Sequence, residues 1–337
     1  MAGVQGSALA IAVSNAGGLG SLPCAMLSLD AMRAELAAIT SGTSRPYNVN
    51  FFCHAPPAPD QERETAWRNL LRPYYDEFGL DISSVSSGPA RMPFSHDAAD
   101  VLREFTPPVV SFHFGLPSVD LLQRVREMGA KVLSSATTVD EARWLQARGV
   151  DAIIAQGVEA GGHRGIFLSD DLTTQVGTFA LVPQMVKAVS VPVVAAGGIA
   201  AAAGVTAAMS LGADAVQVGT SYMLCPEATT SAVHRAALRN DASRHTALTN
   251  VFSGGPARGI MNRLMREIGP MSGVAPRFPL AASEVLPLRA AAEARGSGDF
   301  SPLWSGQDAS GCREIPAAEL TAELISAWRS SASARQK

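Results

Sequence analysis

Apolar positions in this chain follow two alternating rhythms. Short unbroken runs rich in small and β-branched residues, at residues 18–22, 47–52, 109–112, 131–134, 152–155, 191–195 and 215–218, read as strands buried on both faces. Stretches at helical spacing lie between them. Ala8, Leu9, Ala12 and Val13 mark a helix face that stops at Asn15-Ala16-Gly17-Gly18, and Leu29, Met32, Leu36 and Ile39 follow Ser28 as N-cap. Further helices are predicted over residues 61–78, 118–128, 139–148, 179–189 and 200–211. Residues 82–85 read as one more short strand, and SSVSSGPARMPF as an excursion from the pattern.

Repeated strand–helix units with non-alternating strands predict a parallel sheet covered on both faces, an α/β chain of the (β/α)8 TIM-barrel class. Seven strands are countable. The eighth is expected before Met1, because Met1-Ala2-Gly3-Val4 reads as the turn leaving a strand, so the barrel's first strand is truncated in this reading. An open doubly wound sheet is the alternative, and it fits less well because chemistry-bearing loops recur after nearly every strand instead of gathering at one switch point. After residue 225 the rhythm ends. A helix is expected over 227–237, then a loop-rich stretch containing FSGGPARGIMNRLM, GPMSGVAPRFPL and GDFSPLWSGQDASG, and a last helix near 317–329. The expected organisation is a barrel over 1–225, an α-rich capping lobe over 226–312 at the barrel mouth, and a C-terminal helix and tail, 313–337, returning to the barrel.

Composition narrows the class of function. The 337 residues are 47% hydrophobic and 17% charged with a formal net charge of −3, which supplies a large core and gives no reason to expect nucleic acid or an acidic membrane as partner. Cys24, Cys53, Cys225 and Cys312 are far apart, without metal-site spacing, and read as reduced thiols. No run approaches the ~18 apolar residues of a membrane span, and no basic-then-apolar leader is visible. The expectation is a cytoplasmic enzyme, monomer or homodimer, acting on a small molecule.

The chemistry centres on residues 151–165, DAIIAQGVEAGGHRG, where a buried strand runs into a polar glycine-rich loop. His163 is the candidate acid–base group, since an imidazole titrates near neutrality. Two glycine turns follow consecutive strands, VVAAGGI ending at Gly197-Gly198-Ile199 and AVQVGTS with Gly219-Thr220. In register at adjacent strand ends, their backbone N–H groups suit a phosphate, with the Thr220 hydroxyl as a further donor. Asn50 and Gln156 end two other strands, and amides there suit a planar heterocycle. Phosphate on one side and a ring over the barrel axis together describe a flavin mononucleotide site. AGGLG at residues 16–20 joins helix to strand, the wrong order for a dinucleotide fingerprint. His113 is expected beside the barrel wall, His54 behind the site, and His96, His234 and His245 on the surface. Glu159 and Arg164 are expected in loop structure or surface pairing. No hydrolase motif is present.

At these residues the chain resembles a known family. AVSNAGGLGSL, NVNFF, AQGVEAGGHRG, PVVAAGGIA, GADAVQVGTSY, FSGGPARGIMNR and LWSGQ are similar to the nitronate monooxygenases, also called 2-nitropropane dioxygenases, and most of all to their class I branch. The resemblance implies a flavin-dependent TIM barrel that oxidises alkyl nitronates, such as propionate 3-nitronate, with O2 to carbonyl compounds and nitrite. It implies His163 as the catalytic histidine and FMN contacts at Asn50, Gln156, Gly161, Gly198, Gln217, Val218, Gly219 and Thr220, with backbone from Met1, Ala2 and Gly3. Relatives carry a strand of the type PIIQAPMAG, and this sequence starts inside it. The alternative activity is an FMN-dependent NAD(P)H:quinone or enoyl-thioester reductase on the same barrel. No metal is expected.

Overall fold

The computed structural model describes residues 1–85 and 91–335. In chain order the first elements are α1 (Ser7–Asn15), β1 (Gly20–Pro23), α2 (Leu29–Gly42), β2 (Tyr47–Phe52), α3 (Gln61–Phe78), α4 (His96–Phe105), β3 (Val109–His113) and α5 (Val119–Glu127). Next come β4 (Lys131–Ala136), α6 (Val139–Gln146), β5 (Ala152–Gln156), β6 (Gly162–His163), α7 (Thr178–Ala188), β7 (Val193–Ala196), α8 (Ala202–Ser210) and β8 (Ala215–Gln217). The last part holds α9 (Ala232–Arg239), β9 (Thr246–Thr249), β10 (Ala257–Ile260), α10 (Arg263–Ile268), α11 (Ala282–Ala294) and α12 (Ala317–Arg335).

β1, β2, β3, β4, β5, β7 and β8 pair in parallel, in that order, as one curled sheet. The chain folds as a TIM-type barrel in which all seven countable strands are present, with β1 and β8 as the two free edges of the sheet among the described residues. β5 shows why a run of apolar residues makes such a strand: Ile153, Ile154 and Ala155 are all buried, because helices cover one face and the barrel interior the other. The helices close through ordinary caps. Ser28 accepts from Ala31 N at 3.2 Å and starts α2, whose Met32, Leu36 and Ile39 face the core. α12 packs against α8 and α1.

Several expectations are corrected. Residues 82–85 are not a strand: Asp81 accepts from Ser83 N at 2.9 Å and tightens residues 82–84 into a single 3-10 turn. The SSVSSGPARMPF excursion lies partly outside the described residues, and α4, capped by Ser95, follows it. The helix expected at 227–237 begins only at Ala232, and the Glu227 carboxylate instead accepts from Ala317 N at the start of α12 (3.1 Å to each oxygen). Beyond α9 the chain also makes sheet that its pattern hid, since β6, β10 and β9 form a small antiparallel sheet. Helix α3 leaves the barrel layer. Its Trp67, Leu71 and Tyr75 share a second core with Val251, Leu264, Val285 and Leu288 of the C-terminal lobe. Among the described residues no helix is long and apolar enough to cross a membrane.

Candidate active site

A cavity of about 790 Å³ occupies the carboxyl ends of the strands and continues down the seam between β1 and β8. Its wall includes Met1 and Ala2, Asn50, Gln156, Gly161, His163, Gly198 and the run Gln217, Val218, Gly219 and Thr220. The residues singled out in the sequence are thus brought to one space, Gly3 apart. Gly3 sits at φ +82° against the Met26 side chain.

His163 belongs to the two-residue strand β6, paired antiparallel with Ala257 of β10. Its Nε2 lies 2.8 Å from Ser253 Oγ, while its Nδ1 has no hydrogen-bond partner among the described residues. Burial, and after it the charge of Arg91, hold its pKa well below 6.5, so the imidazole is neutral at pH 7. Phe52, Phe114, Phe278 and Trp304 surround the ring, with the Phe278 and Trp304 ring centres 5.0 and 5.4 Å away. Phe114 holds a left-handed backbone at φ +67°, a strained conformation for a bulky residue. It is wedged between the rings of His113 and Phe278.

The loop carrying His163 is fixed by its own polar groups. Gln156 donates from Nε2 to His163 O at 2.9 Å and accepts at Oε1 from Gly165 N at 2.7 Å. His113 donates from Nε2 to the same His163 carbonyl (3.1 Å), so its Nδ1 accepts from Ser135 Oγ. Burial pulls the His113 pKa down to about 4, consistent with that neutral tautomer. Arg164 is fully buried and belongs to loop structure, not to the surface. It donates to Gly157 O, Gln156 O and Gln175 Oε1 at 2.6–3.0 Å. The Glu159 carboxylate accepts from Thr178 N and Oγ1 at the start of α7. His54 is half-buried beside Phe278, while His96 and His245 are exposed as expected. His234 is not a surface residue: it is 4% exposed, with its pKa lowered by burial to about 4.

The glycines divide into two kinds. Gly197 (φ +113°) and Gly198 (φ +68°) need the left-handed region that forms the turn after β7. Gly161 is a glycine for a different reason, since a Cβ there would sit 2.5 Å from Gly306 N and 2.6 Å from Ser305 C, inside the backbone of the lobe. Lobe and barrel also meet where Gly306 N donates to Thr220 Oγ1 (3.0 Å) and Gln307 N to Glu159 O (2.9 Å).

Beneath these turns lies a polar layer. Asn48 and Asn50, on one face of β2, donate to Ser111 Oγ, each at 2.8 Å, and Asn48 also donates to Ser21 Oγ. Asn48 Oδ1 is buried and unpartnered among the described residues. Sequence reasoning missed Asn48, Ser111, Ser253, Phe278 and Arg91. The period of two in NVN could have revealed Asn48, but Ser253 and Phe278 become neighbours of His163 only through the lobe.

A parallel barrel with a neutral, half-buried imidazole and two glycine turns opening on one cavity is an arrangement suited to chemistry on a small molecule. Comparison with known proteins sharpens the class. The family model described as nitronate monooxygenase matches residues 1–327. A nitronate monooxygenase of Pseudomonas aeruginosa is 43% identical over 332 residues, covering 98% of this chain and 94% of its own. The solved structure of a nitroalkane oxidase from Streptomyces ansochromogenes superposes with a TM-score of 0.88 at 36% identity, covering 99% and 95% of the two chains. FabK from Thermotoga maritima is further away, at a TM-score of 0.71 and 27% identity over 100% of this chain and 93% of that one. This chain belongs to the nitronate monooxygenase family and is an oxidoreductase.

Proposed function

We propose that this protein oxidises alkyl nitronates with O2 to carbonyl compounds and nitrite, using FMN. The observation that carries the reading is the position of His163. Its neutral imidazole is half-buried and aromatic-lined, and it opens on the same cavity as the Gly197–Gly198 and Gly219–Thr220 turns. Those residues fit the cofactor. The turns after β7 and β8 offer backbone N–H groups to a phosphate. Asn50, Gln156 and the orphaned Asn48 Oδ1 offer amide groups to a heterocycle with its own N–H. Gly161, Gln217 and Val218, with backbone of Met1, Ala2 and Gly3, complete the residues that would hold it. Bound FMN would supply the electron acceptor between nitronate and O2.

The chain's own groups do the rest. With a nitronate, the His163 ring donates a hydrogen bond to a nitro oxygen and offsets its charge, and the incoming anion raises the imidazole's pKa from its depressed value. With a neutral nitroalkane, the same unprotonated ring removes the α-proton. The aromatic walls exclude water from the reacting carbon. An absorbance spectrum of the purified protein, with and without propionate 3-nitronate under air, tests the reading: a flavin band that cycles with substrate is expected, and a colourless protein that takes up no FMN at micromolar concentration overturns it. Anaerobic NADH should leave the flavin band intact, whereas rapid bleaching would favour the reductase alternative. His163→Asn should abolish turnover of nitroalkanes and leave some turnover of nitronates. Equal loss of both would remove the base role.

A further inference from the structure

Arg91 is a half-buried cation whose part so far is only the charge it sets against protonation of His163. Its side chain lines the cavity that holds His163. Its Nη1 is shut off from solvent, with no hydrogen-bond partner and no acidic side chain within ion-pair distance among the described residues. Elsewhere the protein pairs its buried cations. Arg164 has three acceptors, and Arg235 donates to Thr230 O, Leu224 O, Cys225 O and Ala228 O. A guanidinium nitrogen shut off from solvent with no acceptor among the described residues is costly to keep. Such a cost points to an anion that arrives from outside the fold.

We propose that Arg91 is the residue of this chain that would grip a carboxylate at the far end of a nitronate substrate, and so the side chain on which discrimination between carboxylated and plain nitronates depends. The inference rests on the nitronate-oxidising reading of the same site. Three observations support it. The guanidinium carbon lies 5.7 Å from the Phe278 ring centre, and His163 packs on that same ring. One aromatic ring therefore carries both the imidazole and the cation, and both line the same cavity. The groups around Arg91 are cationic or neutral: its neighbours in charge are Arg289, His54 and His163. Among the described residues no group beside it neutralises it. The planar fork of a guanidinium also matches a carboxylate through two parallel hydrogen bonds, which an ammonium or an imidazole cannot offer.

The test compares two nitronates of equal carbon number, propionate 3-nitronate and propyl-1-nitronate, on FMN-loaded wild type, Arg91→Gln and Arg91→Lys. The ratio of kcat/KM for the carboxylated over the plain substrate should fall at least 30-fold in Arg91→Gln, mainly through KM, and at least threefold in Arg91→Lys. A ratio unchanged within threefold, whether both substrates fall or neither does, overturns the proposal. Equal falls would put Arg91 on the nitronate oxygens or in the framework. Calorimetric binding of 3-nitropropionate and 1-nitropropane separates this inference from the reading beneath it. If wild type oxidises neither nitronate, the functional reading fails. Arg91 is then judged by whether Arg91→Gln weakens 3-nitropropionate at least tenfold more than 1-nitropropane, and equal weakening overturns it. Should the Gln variant not fold, the Lys variant carries both comparisons.

Discussion

At the scale of the residue, the site turns on a histidine that the fold keeps neutral. Burial dominates, and Arg91, His113 and His54 add repulsion toward a proton. A base of this kind stays competent below the pH where a solvated imidazole protonates. The acid limb of kcat/KM for a neutral nitroalkane should therefore lie below pH 6.5, and a pH profile from 4 to 8 checks it. A limb at or above 6.5 would show that the site does not depress the group. Ser253 is the partner at Nε2. Ser253→Ala frees that nitrogen, and we expect activity to fall about tenfold, the loss of roughly one hydrogen bond, with a displaced pH profile. Gln156 has a different weight. Gln156→Leu strips partners from His163 O and Gly165 N at once, although His113 still reaches the former. Urea unfolding should show a loss of about 2–4 kcal/mol.

Among the elements, the lobe and barrel are locked through the glycine loop. Gly161→Ala would drive a Cβ into the Ser305–Gly306 backbone, which has no side chain to swing aside. The variant should lose activity at least tenfold and show altered Trp304 fluorescence, whereas Gly162 faces open space and differs only in its φ of +74°. The seven barrel strands were legible because each is a local apolar run, and Ser28 was legible as a cap because capping acts over three residues. The lining of the candidate site was legible in part for the same reason: glycine turns and strand-end amides are local signals, and they do meet on one cavity. What escaped was long-range. β6 is two residues long and is a strand only because β10 arrives beside it, and α3 reads as a barrel helix until the lobe core claims Trp67. Glu227 sits in a helical pattern but is spent on the start of α12, about ninety residues away.

For the molecule as a whole, neutral buried histidines tie stability to pH. His113 and His234 have pKa values pulled from 6.5 to about 4. The unfolded chain binds these protons first, so the stabilisation is complete above pH 6.5 and is lost as pH falls toward 4. Each group withdraws roughly 3 kcal/mol by then. Unfolding by urea should therefore require less denaturant at pH 5 than at pH 7, with the change beginning above the range where carboxylates titrate. A flat midpoint between pH 7 and 5 would contradict this.

The pairing of β6 with β10 has a mechanical side. The imidazole proposed to work on the substrate is a rung of the lobe's own sheet, and its hydrogen-bonding serine rides on the same lobe. A latch built this way holds the trigger. Should the lobe lift to admit or release a molecule, Gln156 and His113 would keep the His163 carbonyl on the barrel while the ring lost Ser253 and its β10 rung, and with them its set orientation. In such an open form the ring would be mis-aimed, so entry of solvent and readiness for chemistry would not coincide.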